Sequence, residues 1–335
     1  MDDSSPHEVL TRLISGYQQS QAIYVAAKLK IADLLREGPR TVDELAQTTG
    51  AHAPSLYRLL RALASVGIFA EVDGGRFTLT PAAELLRSDH PESQWAFAVM
   101  MGEEHYHVWG DLFFTVETGQ IAFDRIYGMP IFEFLSENPE KGRIFDAAMS
   151  GIHGRETAPL LDAYDLSDIG VLADIGGGNG SVLTAALQRY PHLRGILFDL
   201  PSVIERSRAA LQAAGVEDRC ELMAGDFFQS APAGADAYLL RHIIHDWDDE
   251  KAIRILRNVQ QAMKSDSRVL VAEFLMPEGD GDSRTKFLDL TMMLIPGGKE
   301  RTEEEYRRLF AAAGLELTRI TPTAGGICVL RGEKL

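Results

Sequence analysis

Cysteine is nearly absent, with only Cys220 and Cys328 in 335 residues. Two thiols so far apart make neither a disulfide framework nor a cysteine metal site, and they suit a reducing cytoplasm, where the chain is expected to work. Long apolar runs are missing too. None approaches the roughly 18 residues that a membrane span needs. The opening Met1-Asp2-Asp3-Ser4 has none of the basic and apolar pattern of a secretory signal. Positive charge is scarce: 33 Lys and Arg stand against 49 Asp and Glu, a formal net charge of −16. Such a chain is poorly equipped to neutralise nucleic-acid phosphates, so neither nucleic acid nor membrane is expected as a partner.

What is present is ordinary for a globular protein, 45% hydrophobic and 24% charged, at a length that allows two domains. Residues 10–36 have a helical pattern, with Ile23, Ala26, Leu29, Ile31, Leu34 and Leu35 on one wide apolar face. Thr41-Val42-Asp43-Glu44 is a capping box, and its short helix ends at Gly50. Pro54 opens a further helix with Leu56, Leu59, Leu60 and Leu63 at helical spacing. Ile68–Val72 and Arg76–Leu79 then flank Asp73-Gly74-Gly75, a hairpin signal. Three helices and a hairpin make a winged-helix order, for which DNA binding is the obvious function. Between Thr41 and Met100, however, four basic residues face seven acidic ones. A DNA reader needs a basic face, so packing and dimerisation is the expected role.

The middle of the chain is rich in Met and aromatic residues, Met101, Trp109, Phe145 and Met149 among them, and Met292 and Met293 follow later. Such side chains suit an adaptable apolar pocket, although most of them are expected to be core. His105, His107 and His153 show no metal-ligand spacing, and no metal is expected. From Leu166 onward, seven apparent strands alternate with helices, the pattern of a doubly wound sheet. Domain boundaries are accordingly set at 1–100, a helical linker at 101–165, and the α/β domain at 166–335.

The organising stretch is Val171–Ser181, V-L-A-D-I-G-G-G-N-G-S. A strand ending in Asp174 runs into a glycine turn and then a helix, which lets backbone approach a nucleotide-like ligand at a helix N-terminus. A P-loop would need Gly-Lys-Ser/Thr, and there is no Lys. The dinucleotide pattern would need glycine where Ser181 stands. What remains is acid-x-G-x-G-x-G over Asp174, Gly176, Gly178 and Gly180. In such sheets ligands lie at the carboxyl ends of the strands. Those ends supply Asp199-Leu200, suited to ribose hydroxyls, and Asp226-Phe227, suited to an adenine amino group and its face. They also supply Arg241, then His245-Asp246-Trp247-Asp248-Asp249, and Glu273. Asp248 and Asp249 read as helix-capping acids. Pro296-Gly297-Gly298-Lys299-Glu300-Arg301-Thr302 leads into a second capping box, Thr302 to Glu305.

The series D-I-G-G-G-N-G, F-D-L-P, G-D-F-F, R-H-I-I-H-D-W-D-D, A-E-F and P-G-G-K-E-R-T resembles the small-molecule O-methyltransferases of plants and bacteria, over nearly the whole chain. The resemblance implies a Rossmann-like methyltransferase domain with an N-terminal winged-helix-like dimerisation domain, hence a homodimer. It implies S-adenosyl-L-methionine as cofactor and a small, aromatic, hydroxyl-bearing acceptor in secondary metabolism. It makes His245 the general base, flanked and oriented by Glu273 and Glu300. Asp174, Gly176, Gly178, Asp199, Leu200, Asp226, Phe227 and Arg241 would hold the cofactor, and Met101, Trp109, Phe145, Met149, Met292 and Met293 the acceptor. Arg241 stands where plant members often carry Lys, and Phe227 where some carry Met. Two other readings stay open: the same fold and cofactor used for hydroxylation, decarboxylation or cyclisation, and a regulator with a methyltransferase-like sensor domain.

Overall fold

The structure, a computed structural model, describes residues 5–281 and 283–335, so Met1–Ser4, read above for a secretory signal, lies outside the described residues. The chain divides into two compact units, one of residues 1–107 and 140–152, the other of 108–139 and 153–335.

In the first unit, the expected helix over 10–36 is three helices, Pro6–Ile14, Gly16–Lys28 and Ile31–Leu34. The breaks fall at Ser15 and at Lys30, whose backbone turns left-handed at φ 53°. Ala26, Ile31 and Leu35 reach the core, but Leu10, Leu13, Ile14 and Tyr17 stay more than half exposed. The capping box at Thr41 forms as read, with Glu44 reaching back to the Thr41 amide. The helices Val42–Thr49 and Ala53–Ala64 are followed by a hairpin of β2 (Phe69–Val72) and β3 (Arg76–Leu79). A two-residue strand, β1 (Arg40–Thr41), joins β3 antiparallel, a pairing that two residues could not announce in sequence.

The second unit is built on a seven-stranded sheet: β4 (Val171–Ile175), β5 (Arg194–Asp199), β6 (Cys220–Ala224), β7 (Ala237–Arg241), β8 (Arg268–Glu273), β9 (Leu315–Pro322) and β10 (Cys328–Lys334). Their spatial order is β6-β5-β4-β7-β8-β10-β9, and only β10 runs against the rest. The chain enters at β4 and winds first one way and then the other. The crevice where strand order reverses therefore opens just beyond Ile175, at the glycine turn. Apolar clusters cover both faces of the sheet, one around Leu183, Leu187 and Leu197, the other around Leu240, Leu256 and Phe310. No helix among the described residues is long and apolar enough to cross a membrane.

Candidate active site

The glycine turn is held by its own backbone. Gly176 donates to the Phe198 carbonyl at 2.8 Å, and Gly180, left-handed at φ 75°, caps the helix Ser181–Arg189. Asp199 locks the turn from the next strand: Oδ2 accepts from the Gly178 amide at 2.9 Å and Oδ1 from the Leu200 amide at 2.7 Å. A methyl group at Gly176 would lie 2.6 Å from Ile243 and 3.5 Å from the Phe227 ring, whereas one at Gly178 (φ 59°) would meet nothing within 4 Å. The turn is thus packed on its inner side and open at Gly178, a cradle of backbone that fits the expected nucleotide-like cofactor. Asp226 orders its own loop, accepting from Phe228 and Gln229, and so sets the Phe227 ring beside the turn.

Asp174, expected among the cofactor-binding residues, is packed beneath the turn. It is 3% exposed, and its carboxyl atoms stand 2.6 Å from where a Gly177 Cβ would be. Burial pushes its carboxyl up to about 7, with Arg241 pulling back the other way. Arg241 is held by Thr157 Oγ1 at 3.0 Å and, more loosely, by the His153 carbonyl and Ser181 Oγ. The acid and the guanidinium face each other through charge, one supporting the turn and the other at the end of β7.

Past β7 the chain makes a tight turn into His245. Here the structure corrects one expectation. Glu273 does not touch the His245 ring; its Oε1 accepts from the backbone amides of Ile243, Ile244 and His245, and its Oε2 accepts from the Tyr306 hydroxyl. Three consecutive amides converge on one oxygen because a short 3₁₀ turn aims them inward. Glu300 alone holds the ring, with Oε1 at 2.6 Å from Nδ1. Glu300 is itself placed by its amide donating to Asp289. The other ring nitrogen, Nε2, lies 3.6 Å from Asp246 Oδ1.

Burial by itself would lower the His245 pKa, but Asp246, Glu300 and Glu273 together override it and lift it to about 10. Burial likewise raises the neighbouring Asp246 to about 7.

Arg301 joins the two motifs that carry this cluster. Fully buried, it donates to the carbonyls of Ile244 and Trp247 and to Asp249, and so ties H-D-W-D-D to G-G-K-E-R-T. Asp248 caps the following helix as read, accepting from the Lys251 amide. Asp246, Asp289, Arg301 and Tyr306 were not singled out by sequence reasoning. Asp246 and Arg301 sat inside recognised motifs; for Asp289 and Tyr306, both on helices, spacing offers no signal.

The six expected acceptor residues do not form one cluster within either unit. Met101, Phe145 and Met149 pack around Met100 and Ala148 in the first unit. Trp109 packs with Val108, Ile131 and Leu294 in the second. Met292 and Met293, partly buried, lie on the helix Ser283–Leu294, and the Met292 carbonyl accepts from the Gly297 and Gly298 amides. His153, which shows no metal-ligand spacing in the sequence, stands with Glu156 and His242, two residues that sequence reasoning did not single out. Burial lowers both of these imidazoles well below the ordinary histidine value.

Residues 109–316 match the O-methyltransferase domain family, and residues 11–89 the O-methyltransferase dimerisation domain. The chain is 43% identical to a phenazine O-methyltransferase of Lysobacter antibioticus, over 98% of this chain and 96% of that one. It is 37% identical to an aclacinomycin 10-hydroxylase of Streptomyces purpurascens, over 95% and 89%. Among solved structures, it is 34% identical to an O-methyltransferase from neocarzinostatin biosynthesis, with a TM-score of 0.84 over 94% and 96% of the two chains. That enzyme was solved with S-adenosylmethionine and 2-hydroxy-5-methyl naphthoic acid.

Proposed function

This chain belongs to the O-methyltransferase family, and on that premise we propose that His245 is the base that prepares an aromatic hydroxyl for methylation. The enzyme is S-adenosylmethionine-dependent, and the cofactor, when bound, supplies an already activated methyl group. Gly176, Gly178, Asp199, Leu200, Asp226, Phe227 and Arg241 would hold it, with Asp174 supporting the turn from below. The single observation that carries the proposal is the 2.6 Å contact between Glu300 and His245 Nδ1. It fixes the ring and leaves Nε2 to receive a proton.

The electrostatics suit the task. A phenol with pKa near 10 is ionised to only about one part in a thousand at neutral pH. The carboxylates around His245 raise its affinity for that proton, but they also keep most of the rings protonated at neutral pH, so the reactive form is the minor neutral ring. Glu300 and Asp246 stabilise the imidazolium that results. The same balance sets the pH dependence. Only the neutral ring accepts a proton, so turnover rises as pH rises toward the His245 value. The proposed transfer calls on no metal. Met292, Met293 and Trp109 are the second unit's contributors to acceptor binding.

The relative named as a hydroxylase keeps the alternative reading concrete: this fold can serve a reaction other than methylation. Mass spectrometry separates the two. Gain of one methyl on an aromatic hydroxyl, lost in His245→Ala and regained on an acceptor already ionised, supports the proposal. Gain of oxygen, or full methylation of an un-ionised phenol by the variant, ends it.

The assembly proposed is a homodimer through the N-terminal domain, whose helix Pro6–Ile14 buries none of its residues in the single chain. Light scattering at micromolar concentration should give twice the chain mass; a monomer would refute it.

A further inference from the structure

We propose that His153, Glu156 and His242 form a binding site for one zinc-type divalent ion. The three side chains each bring a ligand atom within 4.8 Å of the others, and they are the one such group of three among the described residues. His153 and Glu156 stand three apart on the helix Pro139–Ala163 and so share a face. His242 comes from the end of β7, and its Nε2 lies 2.7 Å from Glu156 Oε2. The His242 and Glu156 side chains are 3% and 4% exposed.

Two further observations point to a ligand. Both His242 Nδ1 and Glu156 Oε1 are buried without a hydrogen-bond partner. Leaving such atoms unpaired is costly, and a cation bound to the group would account for them. His242 is also held at φ 53°, one of two non-glycine residues with positive φ among the described residues. A left-handed histidine is tolerated where the surroundings impose it, and such positions cluster at ligand sites.

Two imidazoles and one carboxylate select a borderline ion such as zinc, cobalt or nickel over magnesium or calcium, which require mostly oxygen. The His153 and His242 rings stack at 4.0 Å and 16°. Parallel rings cannot both aim at one ion, so loading turns His153, the less buried of the two, out of its stack. Arg284 lies 4.0 Å from Glu156 Oε1 and competes with the ion for it. The site lies beside His245, whose ring centroid is 5.2 Å from that of His242.

The test is made on the full-length chain after chelator treatment and desalting. Cobalt(II) should bind at one ion per chain, with visible d–d absorption and a dissociation constant below about 10 μM. Glu156→Gln and His242→Asn, the latter chosen because asparagine accepts left-handed backbone, should each weaken binding at least about tenfold. Arg284→Ala, at an exposed position, should tighten it about two- to fivefold by removing a surface-strength ion pair. Absence of d–d absorption would overturn the site. So would parent-like affinity in either ligand variant that melts as the parent does. Should both of those variants fail to fold, Arg284→Ala decides: tightening supports the site and unchanged affinity overturns it.

Discussion

His242 and His245 are three residues apart, equally buried at 6% and 5%, and each has one ring nitrogen on a carboxylate, at 2.7 and 2.6 Å. Their proton affinities nevertheless move in opposite directions. Burial wins at His242, whose pKa falls well below the ordinary value. At His245 it loses, and the pKa climbs to about 10. The difference lies in the second nitrogen and in what surrounds the ring. His245 has Asp246 near Nε2, Glu300 on Nδ1 and Glu273 beneath its backbone. His242 has only Glu156, and beyond burial the positive charges of His245, Arg241 and Arg284 push its proton off. Burial makes a group sensitive to its neighbours; the count and sign of those neighbours decide the direction.

The comparison breaks most severely at His245 itself. His245→Ala should lower turnover on an un-ionised phenol by about 10² to 10⁴, with cofactor affinity nearly intact. Stopped-time assays with cofactor calorimetry check both halves. Next comes the framework that only His245 has. Arg301→Met leaves the carbonyls of Ile244 and Trp247 without their donor, and chemical denaturation should show a loss of about 3–5 kcal/mol. A change within 1 kcal/mol, on the order of an exposed pair, would mean the guanidinium is not what ties the motifs together.

Away from both rings, Asp199→Ala should weaken S-adenosylmethionine binding by about 10- to 150-fold, the loss of hydrogen bonds to a charged group. Because Asp199 also locks the Gly178 amide, the variant's glycine turn should exchange its amides faster. Unchanged affinity in a folded variant would remove Asp199 from the site. The smallest effect sharpens the comparison most. Asp246→Asn removes the acid 3.6 Å from Nε2 and makes His245 more like His242. Its pKa should fall, so the acid limb of the kcat/KM profile should move to lower pH by about one unit. A limb that stays in place would assign the elevated pKa to Glu300 and Glu273.

Much of this was legible beforehand. Alternating strands and helices announced the doubly wound sheet, and both capping boxes formed where Thr41 and Thr302 stood before their glutamates. The glycine turn, Asp199 and His245 could be found because strand ends in such sheets face one crevice. Glu273 was found for the right turn but given the wrong contact. Its position at the end of β8 is a matter of sequence, whereas its reach to three amides depends on the shape of the turn it meets. Asp174 is a related case: an acid before a glycine turn can point to the ligand or under the loop, and spacing does not choose.

The sequence by itself determined what local pattern can encode: element order, caps, the glycine turn and the residue types at each strand end. Only the tertiary structure decided which charges share a low-dielectric space. His153 and Glu156 lie some 90 residues from His242 in the chain, yet they meet it; Glu300 meets His245 across 55. Proton affinity in a buried site depends on distances through space, and no periodicity in the sequence records them.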